Sequence, residues 1–144
     1  MRTRKGKFII STNKKLLQPK VIHGFLKNSY WAKNIPYSKV EKAIKHSLCF
    51  GLYEGKKQIG FARVLTDYAR FANIHDVFVL DKYKGQGLGV WLMENILKHP
   101  QLGGMKKWYL ATRDAHEFYK KFGFKPVAHP ERSMEILNIN PYPD

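Results

Sequence analysis

Apolar residues in this chain follow two rhythms, one of period two and one of period three to four, and the switches between them outline the expected fold. Phe8-Ile9-Ile10-Ser11-Thr12 is β-branched and aromatic, which predicts a short first strand. Pro19, whose fixed φ suits a first helical position, precedes Val21, Ile22, Phe25 and Leu26 at helical spacing, and these predict a first helix. Residues 28–37, with Ser29-Tyr30-Trp31 and Pro36, break that spacing and read as a loop. A second helix is expected from Ser38-Lys39-Val40-Glu41, a capping-box sequence whose Ser and Glu side chains can satisfy free N–H groups reciprocally, with Val40, Ala43 and Ile44 as its apolar stripe.

The rhythm then shortens. Leu48 to Tyr53 and Ile59 to Leu65 are β-rich runs joined by Glu54-Gly55-Lys56-Lys57, a hairpin signal. Asp67 to Phe71 reads as a second turn, and Ala72 to Leu80 as a third long strand. A helix is expected from about Gly87 to His99, stopped by Pro100, and its apolar residues leave little polar face, as for a helix flanked by other elements. Lys107 to Ala111 is the next strand. Asp114 is placed to cap a fourth helix, Ala115 to Phe122, which Gly123 can close in the left-handed conformation. Further strands are expected in Phe124 to Val127 and Met134 to Ile139. The order describes an α/β (α+β) domain with a mixed, mostly antiparallel central sheet flanked by about four helices.

Composition narrows the class. At 144 residues, 44% of them hydrophobic, the chain is expected to be one domain, 1–144, with a sizeable core. No apolar run approaches the ~20 residues needed to cross a bilayer, and none resembles a signal peptide, so a cytoplasmic, membrane-free location is expected. The lone cysteine, Cys49, lies in the strand run Leu48 to Tyr53 and reads as a buried apolar residue. The formal charge of +15 suggests anionic partners. Lysine dominates that charge and is scattered, without zinc-finger, zipper or aromatic-basic RNA-binding signatures, which argues against nucleic acid. No metal-ligand set is evident.

The chemistry concentrates where the third long strand ends. Val77-Phe78-Val79-Leu80 leads through a short turn into Lys84-Gly85-Gln86-Gly87-Leu88-Gly89, and an apolar helix follows. Glycines there let backbone approach a ligand closely, and the helix start offers unpaired N–H groups to an anion. A Walker loop would need Gly-Lys-Ser or Gly-Lys-Thr, which is absent. A dinucleotide fingerprint would need its third glycine one residue later and a parallel βαβ context.

Lys84 to Gly89 instead resembles the acyl-CoA loop of the GNAT superfamily of N-acetyltransferases, Arg or Gln, two residues, Gly, one residue, Gly or Ala. Ala115-His116-Glu117-Phe118-Tyr119-Lys120-Lys121-Phe122-Gly123-Phe124 is similar to that superfamily's late helix, Ala-x-x-Phe-Tyr-x-Lys-x-Gly-Phe. The resemblance implies an acetyl-CoA-dependent acyltransferase whose strands splay around the loop. Val77, Phe78 and Val79 would flank the pantetheine arm, with Val79 as its main-chain partner; Lys84, Gly85, Gln86, Gly87, Leu88, Gly89 and Val90 would grip the pyrophosphate; and Thr112 would stand near the cofactor in place of the family's Asn. Lys84 replaces the usual Arg or Gln and keeps a cation without the planar fork.

The resemblance further makes Tyr119 the acid that protonates the departing thiolate. His75 and Asp76 are the candidate bases; strand alternation sets them on opposite faces unless a bulge intervenes, and Asp76 is favoured as a carboxylate able to hold an ammonium and relay its proton. Tyr30, Trp31, Arg63, Asp67 and Asp76 fall in the regions that build the family's acceptor pocket. Arg63, a charge inside an apolar strand, is expected either to pair with Asp67 or Asp76 or to await an anionic group of the substrate. The expected reaction passes acetyl directly to a small-molecule amine without a covalent enzyme intermediate; the alternatives are a protein N-terminus or lysine as acceptor, or a non-catalytic binding module. A homodimer is expected by family analogy alone.

Overall fold

A computed structural model describes residues 1–143 of the chain. Six strands form one sheet in sequential order: β1 (Arg2–Lys5), β2 (Phe8–Ser11), β3 (Leu48–Glu54), β4 (Lys57–Thr66), β5 (Phe71–Val79) and β6 (Lys107–Tyr109). All pairs are antiparallel except β5 with β6, which is parallel. The helices are α1 (Pro19–Leu26), α2 (Tyr37–Lys45), α3 (Leu88–Leu97) and α4 (His116–Lys120).

Two apolar cores explain the layering. On one face Leu88, Leu92, Met93 and Ile96 of α3 pack on Phe50, Leu52, Ala62, Val64 and Ile74. Ile22 and Leu26 of α1, with Val40 and Ile44 of α2, cover Cys49, Phe61 and Phe78 on the other. Each fully buried Leu, Ile or Phe stabilises by about 1.5–3 kcal/mol of hydrophobic transfer. Cys49 is the buried strand residue expected; burial pushes its thiol up to about 11, and Sγ–H points to the carbonyls of Ile44 and Ser47.

Several local expectations yield to tertiary context. β1 has an almost wholly exposed, cationic sequence that carries no apolar alternation; it forms because Gly6, at φ 61°, turns it back antiparallel along β2, and its charges suit a sheet edge. The Ser38–Glu41 capping box does not form. Pro36 takes the cap position with extended ψ, so the helix starts before Ser38, which becomes an interior residue. Asp114 likewise does not cap α4; the Thr112 hydroxyl accepts from the Ala115 N–H instead, and α4 ends at Lys120 with Lys121 as its C-cap, short of the expected Phe122, although Gly123 does take the left-handed conformation at φ 95°.

The two C-terminal strands are absent. Residues 124–127 and 134–139 pair with no described strand, and Met134, Ile136 and Ile139 are 98%, 105% and 90% exposed. Their β-propensity has no neighbouring strand to pair with, and propensity alone does not hold a strand.

Two irregularities in β5 position the site. First, β6 pairs only with Phe71, Ala72 and Asn73, which leaves the flank of β5 from Ile74 to Val79 open. Second, the β4–β5 register shifts between Phe61 and Arg63, where Asp76 takes φ 55°; this bulge sets two residues, Asp76 and Val77, against Ala62.

Candidate active site

The bulge changes which side chains meet. Ala72 and Ile74 lie in the α3-side core, but after the extra residue Val77 and Val79 take that side while Phe78 stacks on Phe25 of α1 at 4.1 Å between ring centroids. His75 and Asp76 therefore sit together at the crossing point instead of on opposite faces. Arg63, opposite His75 in the ladder, donates from Nε to Asp76 Oδ2 at 2.8 Å and from Nη1 to Ser47 Oγ at 3.1 Å. Trp31 Nε1–H donates to Asp76 Oδ1 at 2.9 Å. Asp76 is thus the partner of Arg63, with both carboxylate oxygens engaged.

A cavity of about 960 Å³ opens along the free flank of β5. Leu80 N–H donates to Ile59 O, so by strand alternation the N–H and C=O of Val79 face the cavity and are free for an extended ligand. The far wall comes from the segment after β6 and from α4: Leu110, Thr112, Arg113, Phe118 and Tyr119. At its end stand Lys84, Gly85, Gly87, Leu88, Gly89 and Val90.

The loop chemistry is local and legible. Gly85 and Gly87 adopt φ 82° and 75°, which a Cβ would resist, and Gly87 forms the left-handed start of α3. Trp91 N–H is the first amide there to bond back, to Gly87 O, so the N–H groups of Leu88, Gly89 and Val90 carry no intrahelical partner. Lys84 Nζ pairs with Asp81 at 2.8 Å, yet both groups are largely exposed, and such a pair holds the cation only weakly. Gln86 stands apart: its amide donates to Tyr83 O at 3.4 Å and it does not line the cavity.

Burial, and then the neighbouring Tyr30, push the Tyr119 phenol up to about 12, so it keeps its proton at neutral pH. His75 is shifted the other way: burial first, then Arg63, hold its imidazole below 6.5 and neutral at pH 7, against a smaller opposing pull from Asp76. Tyr30 and Trp31 both reach the site. Arg113 N–H donates to Tyr30 Oη at 2.9 Å while its guanidinium lies 3.9 Å from the ring centroid, which ties the α1–α2 loop to the wall before α4.

A second cavity, of about 560 Å³, lies under α1 and α2, and Trp31, His75 and Asp76 line both. Arg63 borders this one, as do Lys39, Lys42, His46 and Tyr142, none of which the sequence had offered as site residues. Spacing carried a signal for three of them, because Lys39, Lys42 and His46 recur at i, i+3, i+7 along one helical stripe. Asp67 lines neither cavity. Its Oδ1 accepts from the N–H groups of Ala69, Arg70 and Phe71, bonds that hold its pKa down at about 2, so its place is the β4–β5 turn.

A family model described as an acetyltransferase (GNAT) domain matches residues 45–126, more than half of the chain. The chain belongs to the GNAT acetyltransferase family. A GNAT-family acetyltransferase from Xanthomonas campestris pv. campestris superposes with a TM-score of 0.93 and 42% identity, covering 95% of this chain and 97% of its own. Among curated sequences, an acetyltransferase-named protein of Gibberella zeae is 29% identical over 84% of this chain and 81% of its own length. Histone acetyltransferase TAP1 of Glycine max is 34% identical over 67% of this chain, which spans only 46% of that relative.

As a GNAT protein this chain is an acyltransferase with a six-stranded mixed sheet, and family members generally use acetyl-CoA. Its own residues fit that co-substrate: an open strand flank for an extended amide-bearing arm, a glycine-lined helix start for phosphates, and a protonated phenol between them. No described helix is long and apolar enough to cross a membrane, and no described His, Cys, Asp or Glu cluster could hold a metal ion.

Proposed function

We propose that residues 1–144 act as a single N-acetyltransferase domain that passes acetyl from acetyl-CoA directly to a primary amine of a small molecule, with donor and acceptor bound together. The observation that carries this reading is the junction of the two cavities at Trp31, His75 and Asp76, next to the bulge. A donor in the larger cavity and an amine in the smaller one would meet there with no protein nucleophile required. Cys49, buried with its thiol raised, is no candidate for one.

When bound, acetyl-CoA supplies an activated acetyl thioester. Val77 and Val79 would orient its arm through free backbone groups, while the amides of residues 88–90 and the Lys84 ammonium would hold its phosphates. His75, neutral at pH 7, takes the proton that the ammonium must lose before its nitrogen attacks. The Tyr119 hydroxyl, which burial keeps protonated, would supply the proton that a thiolate leaving group needs; its high pKa means that it would help most once negative charge had developed there. The net change is ammonium plus thioester to amide, thiol and one proton.

This arrangement moves the base from Asp76 to His75. A carboxylate with one oxygen on Arg63 and the other on Trp31 is better placed to fix those two side chains than to abstract a proton. A thiol-release screen with acetyl-CoA against amino acids, polyamines, aminoglycosides, arylamines and peptides tests the reading. Small amines should support release that depends on Tyr119; release with peptides alone would reassign the acceptor to a protein, and no release with any amine would sink the proposal.

A further inference from the structure

The acceptor cavity has a charge imbalance that the transfer reaction itself does not explain. Its floor is apolar, built from Ile22, Leu26, Ala32, Val40, Ile44 and Phe61. Around that floor stand Lys39, Lys42, His46 and Arg63, and among the described residues the only acidic one in the lining is Asp76. Arg63 already neutralises Asp76 at 2.8 Å. Lys39 and Lys42 take part in no ion pair among the described residues, so the α2 rim carries two uncompensated cations beside a low-dielectric wall. Such a site repels a polycation and attracts an anion, more strongly than the same lysines would on an open surface.

We propose that the acceptor is an amine that also bears an anionic group, a carboxylate or phosphate, on an apolar body. This rests on the acetyl-transfer reading above. The amine end lies at His75, where the two cavities join; the apolar body lies on the Ile22–Phe61 floor; and the anion reaches the stripe of Lys39 and Lys42 on α2. An ammonium lodged against Asp76 would have to displace Arg63, so the bulge carboxylate does not recruit a second positive charge. Polyamines are therefore disfavoured, and the anion supplies the recognition that Asp76, already paired, does not.

The test is a matched series of primary amines of equal chain length ending in a carboxylate, a phosphate, a carboxamide or a second amine. Thiol release is measured for each with the wild type and with the double variant Lys39→Glu/Lys42→Glu. The wild type should prefer the better of the two anionic acceptors to the carboxamide by about tenfold or more in kcat/KM, with the diamine poorest. The double variant should lose that preference by raising KM for the anionic acceptor, while kcat with the carboxamide and KM for acetyl-CoA stay unchanged. The carboxylate and phosphate arms decide which anion is read. Equal use of all four amines, or a preference untouched by the charge reversal, would overturn the proposal while leaving acetyl transfer standing; absence of release with every amine would instead remove the reading beneath it.

Discussion

Arg63 Nε and Asp76 Oδ2 lie 2.8 Å apart across a bulge that exists at Asp76 itself, so one residue both breaks the strand register and carries the ion pair that the break makes room for. With the two side chains only 16% and 11% exposed, removing one charge strands the other. Asp76→Asn, which tolerates the left-handed backbone, should destabilise the fold by about 3 kcal/mol, the lower end for a buried pair. The double change Arg63→Met/Asp76→Asn should recover at least half of that loss, because no unpaired charge remains. Urea midpoints decide it; a double variant as unstable as the sum of the singles would mean that the pair contributes nothing.

Tyr119→Phe removes one oxygen from the cavity wall and leaves the ring packed against Phe118 and Phe124. Turnover should fall by at least about tenfold while KM for acetyl-CoA changes little, as expected when a group acts in the transition state alone. Unchanged turnover would remove the proton donor.

At Gly87 a Cβ would meet nothing within 4 Å, so space is not the obstacle; the φ of 75° is. Gly87→Val should collapse the helix start that presents the phosphate-facing amides and abolish measurable acetyl-CoA binding by calorimetry. Gly87→Asn, which accepts positive φ more readily, should keep part of it. Equal loss in both variants would point to steric exclusion instead.

His75 gives a pH signature. Burial and Arg63 favour the neutral ring, so its folded pKa lies below 6.5 and the base stays available until the pH drops through that lower value. The acid limb of kcat/KM for the acceptor, corrected for the fraction of free amine, should have its midpoint below 6.5. His75→Gln should erase the limb and lower the rate about 100-fold. An acid limb that survives the substitution would return the base to another group.

Asp67 titrates for a different reason. Its three backbone bonds lower the pKa from 3.8 to about 2, so the stability they contribute is present above pH 4 and is lost as the pH falls toward 2. Asp67→Ala should lower Tm at pH 7 and leave acetyl transfer intact, and the difference in Tm should shrink as the pH approaches 2. Loss of activity at full stability would place Asp67 in the site after all.

What could be read from the sequence was what local chemistry decides. The β3–β4 hairpin turns at Gly55, φ 59°, and Gly85 and Gly87 of the glycine loop take the turn dihedrals expected of them, whereas Gly89 is a helical residue of α3. The GNAT motifs were legible for the same reason. The bulge was visible only as an alternative, since it arises from a register conflict between β4 and β5 that neither strand shows alone. Two caps were misread because a preceding proline and a threonine hydroxyl outcompeted them. The cationic stripe of α2 was present in the spacing of Lys39, Lys42 and His46, but only the fold turns it toward a cavity.

Direct transfer at the junction of the two cavities is tested most directly by two-substrate initial-rate kinetics, with acetyl-CoA and an accepted amine varied against each other. Lines that intersect in the double-reciprocal plot, with no acetylated protein detected by mass spectrometry when the amine is omitted, are the predicted result. Parallel lines together with a stable acetyl-enzyme would contradict it.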